Sequence, residues 1–367
     1  MSILALRPEF ADEHPYGAPQ LDVPIRLNVN ENPYAPSEEL VADLARAVAE
    51  AARGLNRYPD RDAVDLRRDL ATYLLEESGV SIPAGQVWAA NGSNEVMSQL
   101  LTAFAGPGRS VVSFAPTYSM YPEYARDTSS RWVAGRRAAD HGLDMAEVER
   151  LMRAERPAVV LLASPNNPTG TAMPREHVEA IVDLARQTGP QEGKASLVVV
   201  DEAYAEFRRE GVGSALELIE GNEHLVVTRT MSKAFGAAGL RLGYMAASQQ
   251  VVDQVMVARL PYHLSALTQA AARTALAHRA ALREQVASIR HSRDDLAKAL
   301  RELGCDVTAS DANFLLFGTF ADRHALWQGL LQRGVLIREV GPQGCLRVSV
   351  GTPQENAAFL AALEEVM

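Results

Sequence analysis

The sequence predicts an α/β protein: a large, doubly wound, mostly parallel sheet with a smaller α+β domain beside it. Three observations carry this. Short apolar runs at residues 111–114, 158–163, 197–200 and 225–227 alternate with helical stretches such as 175–187, a rhythm that lays strands parallel and covers both faces with helices. Past Pro261 the pattern becomes one long helical region, residues 265–303. Shorter strand-like runs follow at 314–317 and 346–350, with a helical stretch at 325–332 between them. A length of 367 residues also exceeds what one small core organises.

Taken in chain order, residues 1–39 are rich in Pro and Asn and read as an extended arm, since Pro8, Pro15, Pro19, Pro24, Pro33 and Pro36 oppose a helix. From Ser37 the segment SEELVADLARAVAEAA begins with a capping residue and carries apolar side chains at Leu40, Val41, Leu44, Ala45 and Val48, the spacing of an amphipathic helix. The apolar run 87–90 leads into Asn91-Gly92-Ser93-Asn94-Glu95 and a helix over 95–104. No internal repeat and no Gly/Ser linker interrupts the chain. The expected division is a large domain over 40–261 and a second unit made of 1–39 plus 262–367, with a ligand cleft between them.

Composition narrows the function. An apolar fraction of 47% with 22% charged residues is that of an ordinary soluble globular chain rather than a disordered or membrane protein. A formal net charge of −10 opposes a nucleic-acid partner, which needs clustered cations to release counterions. Cys305 and Cys345 stand in no metal-binding or disulfide pattern, so two reduced thiols and no metal site are expected. Without a leader-like start or a long apolar run, the expected location is cytoplasmic.

The chemistry-bearing residues follow the apolar runs. Thr230-Met231-Ser232-Lys233 stands just past the run at 225–227, where parallel sheets bind ligands. Lysine is the side chain that forms an imine with an aldehyde, once burial or neighbouring positive charge frees its amine. Arg241, eight residues on, supplies such charge or binds a phosphate.

The run 197–200 ends in Asp201-Glu202-Ala203-Tyr204. A carboxylate there can keep a pyridine nitrogen protonated, and a phenol three residues on can bond the oxygen on the same ring. After 158–163 comes Ser164-Pro165-Asn166-Asn167-Pro168-Thr169-Gly170, a rigid turn that presents an asparagine to the same place. The Gly-Ser-Asn at 92–94 opens a helix whose backbone N–H groups make an anion cradle, although alone it would serve as an ordinary cap.

With these residues in place, the sequence resembles the fold-type I pyridoxal-phosphate enzymes, and within them the histidinol-phosphate aminotransferases. The resemblance spans nearly the whole chain through HPYGAPQ, LNVNENPY, NRYPDRD, AANGSNE, PTYSMYP, SPNNPTG, VVVDEAYAEF, TRTMSKAFGAAGLRLGY, LPYHLS and LRVSVGTP. It implies that Lys233 carries the cofactor and moves protons, that Asp201 pairs with the pyridinium nitrogen, and that Asn167 and Tyr204 hold the 3-oxygen. It further implies that Ser93, Asn94, Thr230, Ser232 and Arg241 hold the cofactor phosphate and that Tyr118 stacks on the ring. Tyr58 is similar to a tyrosine that reaches into the neighbouring subunit's site, so a homodimer with shared active sites is expected.

For the substrate, the positions similar to pocket-lining ones are Tyr16, Asn30, Arg338 and Arg347; a guanidinium fork suits a phosphate or a carboxylate, and Arg347 alone does not say which. The small residues 236–239 leave that stretch of pocket wall undefined. The implied activity is transfer of an amino group between histidinol phosphate and 2-oxoglutarate, giving imidazole-acetol phosphate and glutamate, a step of histidine biosynthesis. An aromatic amino-acid aminotransferase and a decarboxylase of a phosphorylated amino acid share the same cofactor set and stay open at this point. A cofactor-binding regulator is not expected, since that reading needs an appended DNA-binding domain and residues 1–20 do not read as one, and no GxxxxGK[ST] loop supports a nucleotide enzyme.

Overall fold

The computed structural model describes residues 4–367. Eleven strands are found among them: β1 (Ile25–Arg26), β2 (Val87–Ala90), β3 (Ser110–Ala115), β4 (Arg131–Arg136), β5 (Val159–Ala163), β6 (Leu197–Asp201), β7 (Leu225–Thr230), β8 (Gly243–Ala247), β9 (Phe314–Phe317), β10 (Val335–Leu336) and β11 (Leu346–Ser349). Seven form the central sheet in the order β2-β8-β7-β6-β5-β3-β4. Six run in one direction; β8 alone is reversed, pairing antiparallel with both β2 and β7. The carboxyl ends of the parallel strands and the start of β8 therefore meet along one edge.

Alternation along the strands divides the core between the two faces. Val160, Leu162, Val198, Val200 and Val227 join one apolar cluster, and Val159, Leu161, Leu197, Val199 and Val226 join the other. Helices cover both faces, which is why these strands read as unbroken apolar runs. The same alternation sends Asp201, Thr228 and Thr230 to one face and Glu202 and Arg229 to the opposite one.

A separate core gathers Leu27, Leu296, Leu300, Leu315, Phe317, Leu330, Ile337, Leu346, Val348 and Phe359 around the antiparallel pair β9–β11. The arm is extended over most of its length, but it holds a short helical turn at Pro8–Phe10 and pairs β1 parallel with β10, two features its composition did not announce. Ser37 caps the helix Glu38–Ala52 by accepting from the Leu40 amide at 3.2 Å, as its sequence predicts.

The long helical region predicted for 265–303 is two helices, Ala266–Ala277 and Arg279–Glu302. The break lies at His278, whose φ of −92° and ψ of 15° leave the helical range and whose ring bonds Asp43 Oδ2 at 2.8 Å. The first of these helices packs on Glu38–Ala52 and sends Ala272 and Leu276 into the core of the large sheet. No helix of the described residues is long and apolar enough to cross a membrane.

Candidate active site

One cavity of about 260 Å³ opens where the strand ends meet the arm and the β9–β11 layer. Of the residues singled out from the sequence, Lys233, Asp201, Tyr204, Asn167, Ser93, Asn94, Tyr118, Thr230, Ser232, Arg241, Tyr16, Asn30, Arg338 and Arg347 all line it. Tyr58 does not: it is exposed and stacks on Tyr262 with ring centroids 4.4 Å apart.

Lys233 stands in the turn after β7. The whole chain has only three lysines, and the other two, Lys194 and Lys298, are exposed. The Lys233 amine donates to Val29 O at 2.9 Å and lies 5.8 Å from the centre of the Tyr204 ring. Burial, aided by Arg347 and Arg241 against the opposing pull of Glu31, lowers its pKa to about 8. About a tenth is then free amine at pH 7, roughly 300-fold more than for an ordinary lysine.

Asp201 ends β6 almost fully buried, and burial raises its carboxyl to about 6 despite three donors. Tyr121 donates to Oδ2 at 3.1 Å, while the Ala203 amide and Thr228 donate to Oδ1 at 3.2 and 3.3 Å. Tyr121 and Thr228 escaped the sequence reading. Of PTYSMYP only Tyr118 was given a role, and Tyr121 turns inward because the helix Tyr121–Asp127 starts there, setting its ring edge-on to Tyr118 at 5.6 Å.

At the other end of the cavity the helix Ser93–Phe104 starts with no side-chain cap, two residues earlier than predicted. Its N-cap, Gly92, has φ 86°, and a Cβ there would lie 2.7 Å from Arg241 Nη2. Gly243 is as constrained, since a Cβ would collide with the Ser93 amide nitrogen. Arg241 adopts the left-handed φ of 55°, and its Nη1 donates to Ser232 Oγ at 3.2 Å. Uncapped amides, a hydroxyl and a guanidinium converge here on space for an oxyanion. Thr230 Oγ1 accepts from the Ser232 amide at 3.2 Å and so shapes that turn.

Arg347, on β11, is buried. It reaches Asn167 Oδ1 at 2.6 Å and Asn28 O at 2.8 Å, lies over the Phe314 ring at 5.2 Å, and has no partner for its Nε. Burial lowers its pKa to about 10, so it stays charged at neutral pH. Arg338 is joined to it through paired backbone bonds of 2.9 Å and makes no salt bridge among the described residues. Tyr16, from the arm, accepts from Ser119 Oγ at 3.1 Å. Asn30, which also lines the cavity, donates its side-chain amide to the Tyr204 hydroxyl at 3.1 Å.

Comparison with known proteins matches this geometry. The profile of the family described as "Aminotransferase class I and II" covers residues 22–363. The chain belongs to the class I and II aminotransferases. This aminotransferase is 55% identical over its whole length to histidinol-phosphate aminotransferase 3 of Burkholderia lata, covering 97% of that protein. It is 54% identical to a histidinol-phosphate aminotransferase of Thermobifida fusca, over 98% of this chain and 95% of the relative. Among solved structures, the histidinol-phosphate aminotransferase of Sinorhizobium meliloti in complex with pyridoxal-5'-phosphate superposes with a TM-score of 0.82 at 26% identity, over 94% of this chain and 91% of the other. The aminotransferase depends on pyridoxal phosphate. Its cavity fits that group: a buried carboxylate stands on one side and an uncapped helix start with Arg241 on the other, and the one lysine that is not exposed stands in the turn after β7.

Proposed function

We propose that this aminotransferase moves an amino group from histidinol phosphate to 2-oxoglutarate, giving imidazole-acetol phosphate and glutamate. The observation that carries the substrate class is charge. Among the described residues lining the cavity, Asp201 is the one carboxylate, against the cations Lys233, Arg241, Arg338 and Arg347. Arg241 belongs to the oxyanion space at the helix start. Arg347 and Arg338 remain at the other end for the anion of an incoming substrate, and a fork of that kind suits a phosphate monoester as well as a carboxylate.

When bound, pyridoxal phosphate supplies an aldehyde that captures an amine and a protonated ring that accepts electron density. Asp201 would keep the ring nitrogen protonated, Tyr204 and Asn167 would hold the 3-oxygen, and Tyr118 would stack on the ring. Ser93, Asn94, Thr230, Ser232 and Arg241 would hold the phosphate. Lys233 Nζ carries the cofactor between turnovers. Once free, its amine would move a proton between the substrate carbon that bears nitrogen and the cofactor's aldehyde carbon on the far side of that nitrogen, two bonds away. Arg347 and Arg338 orient the substrate anion, and Tyr16 and Asn30 close that side.

A homodimer is part of this reading. Leu55, Tyr58, Val257, Leu260 and Tyr262 are exposed apolar or aromatic side chains that a second copy would cover, and the resemblance implies that Tyr58 then reaches the partner's cavity. A division into the large sheet domain and a second unit made of residues 1–39 and the C-terminal part is proposed in outline, supported by the separate core around β9–β11, with the expected boundary at 262 moved later in the chain because the helix Ala266–Ala277 packs into the large core. A cytoplasmic location accords with a biosynthetic role.

A steady-state assay tests the assignment. Glutamate formed from 2-oxoglutarate with histidinol phosphate as donor is expected. Turnover of phenylalanine in its place, or release of carbon dioxide from a phosphorylated amino acid, would replace the assignment with one of its two rivals.

A further inference from the structure

Ser349 has no assigned role, yet it begins a chain of hydrogen bonds that ends on the cofactor side of Tyr204. The Asn30 backbone N–H donates to Ser349 Oγ at 2.8 Å. That bond occupies a lone pair of the hydroxyl, so the Ser349 proton goes to Asn30 Oδ1, 3.1 Å away. With its oxygen taken, Asn30 can offer only its NH2 group to the Tyr204 hydroxyl, at 3.1 Å.

A second donor reaches the same phenol. Arg347 fixes Asn167 Oδ1, which leaves the Asn167 NH2 group 3.4 Å from the Tyr204 hydroxyl. Tyr204 thus receives two hydrogen bonds, and its own proton has no protein acceptor among the described residues. Both arms start from β11, at Arg347 and Ser349. Asn30 is held for this purpose at a φ of 56°, with Asn313 donating to its carbonyl at 3.0 Å, and Asn30, Ser349 and Asn313 are all nearly inaccessible.

We infer that Ser349 is a positioning residue: through Asn30 it fixes the Tyr204 hydroxyl as a donor into the cavity, and so tunes the bound cofactor. The inference rests on the pyridoxal-phosphate reading above. A donor to the ring's 3-oxygen helps most when no proton on the neighbouring nitrogen already satisfies that oxygen. The relay therefore favours the deprotonated form of the bound cofactor, and loosening it raises the pH midpoint of the cofactor's absorbance change.

The test is that midpoint, read by absorbance titration of the holoenzyme for the wild type, Ser349→Ala, Tyr204→Phe and the double variant, with thermal unfolding alongside. Ser349→Ala is expected to raise the midpoint by about half a pH unit or more, as for a weakened hydrogen bond to a charged group. Tyr204→Phe should raise it further, and the double variant should match Tyr204→Phe alone, because the two act in series. Ser349→Thr, which keeps the hydroxyl, should restore the wild-type midpoint. An unchanged midpoint in Ser349→Ala, whether or not its unfolding temperature falls, would leave the serine a structural role only and overturn the relay. Additive shifts in the double variant would overturn it as well. A wild-type protein with no cofactor absorbance after incubation with pyridoxal phosphate would remove the cofactor reading itself, which is a separate result.

Discussion

The Tyr121 hydroxyl donates to Asp201 Oδ2 over 3.1 Å, from the helix that follows β3 to the end of β6. The bond aims a buried carboxylate into the cavity, and even with it burial holds that carboxyl near 6. A cationic ring nitrogen beside Asp201 would pull the value back down.

Cofactor affinity should therefore depend on pH. Without cofactor Asp201 binds a proton below about 6, and with a pyridinium beside it that proton is released. Affinity should then be full above 6 and fall by up to about tenfold per unit as the pH drops below it. Asp201→Asn should bind more weakly at neutral pH and lose this slope. Equilibrium titration of the cofactor-free protein from pH 7 to pH 5 checks both expectations.

Arg347→Ala removes a cavity-lining guanidinium whose Nε is buried without a partner, and kcat/KM should fall by roughly 30-fold to 1000-fold, the loss of about 2–4 kcal/mol of charge-assisted bonding. Arg338→Ala should cost about tenfold and fall more heavily on histidinol phosphate than on 2-oxoglutarate if the two arginines share a phosphate. Steady-state kinetics with each substrate varied separately gives the comparison.

Gly243→Ala places a Cβ against the Ser93 amide nitrogen, where backbone rather than a flexible side chain must move. The start of the helix Ser93–Phe104 should shift away from Arg241, and cofactor affinity should fall by tenfold or more. Overpacking should lower stability by about 1–3 kcal/mol. Cofactor titration and chemical denaturation of the same sample separate the two effects.

On the far face of the sheet, Arg229 is almost fully buried and meets Glu202 at 2.7 Å, Glu77 at 3.0 Å and Glu206 at 3.5 Å. Arg208 shares Glu77 and Glu202 at 3.1 and 3.6 Å, and burial keeps the Glu206 carboxyl above its usual range. Arg229→Met leaves Glu77 and Glu202 with Arg208 alone and takes from Glu206 its one ion-pair partner among the described residues, and should destabilise the fold by roughly 3–5 kcal/mol at neutral pH. The deficit should shrink as acid neutralises the carboxylates, which denaturation at two pH values reads directly.

Much of this arrangement was legible because the residues sit where an apolar strand ends and a short polar motif begins, and parallel strands carry such ends to one edge. Lys233, Asp201, Tyr204 and Asn167 were placed together on that ground. Tyr121 was not, since two tyrosines three apart in PTYSMYP give no sign of which one a helix start turns toward a neighbouring strand. The bond from Asn30 to Tyr204 was not read either, because the Asn30 side chain is oriented by Ser349 on β11, more than 300 residues away. Besides the short pair β1 and β10, two strands of the central sheet went unnamed for similar reasons. The edge strand β4 leaves Arg131, Ala134 and Arg136 exposed and shows no apolar run, and β8 is a short reversed strand of small residues. The helix break at His278 coincides with a tertiary bond to Asp43, which no local periodicity records.

The claim on which the account turns is that the Lys233 amine, at a pKa of about 8, is the group joined to the cofactor's aldehyde. Borohydride reduction of the holoenzyme followed by peptide mass mapping tests it most directly, because the chain offers only Lys194, Lys233 and Lys298. The account predicts a single reduced adduct on the peptide that contains Lys233, absent from Lys233→Ala. An adduct on Lys194 or Lys298 instead, or one that survives in the variant, would contradict it.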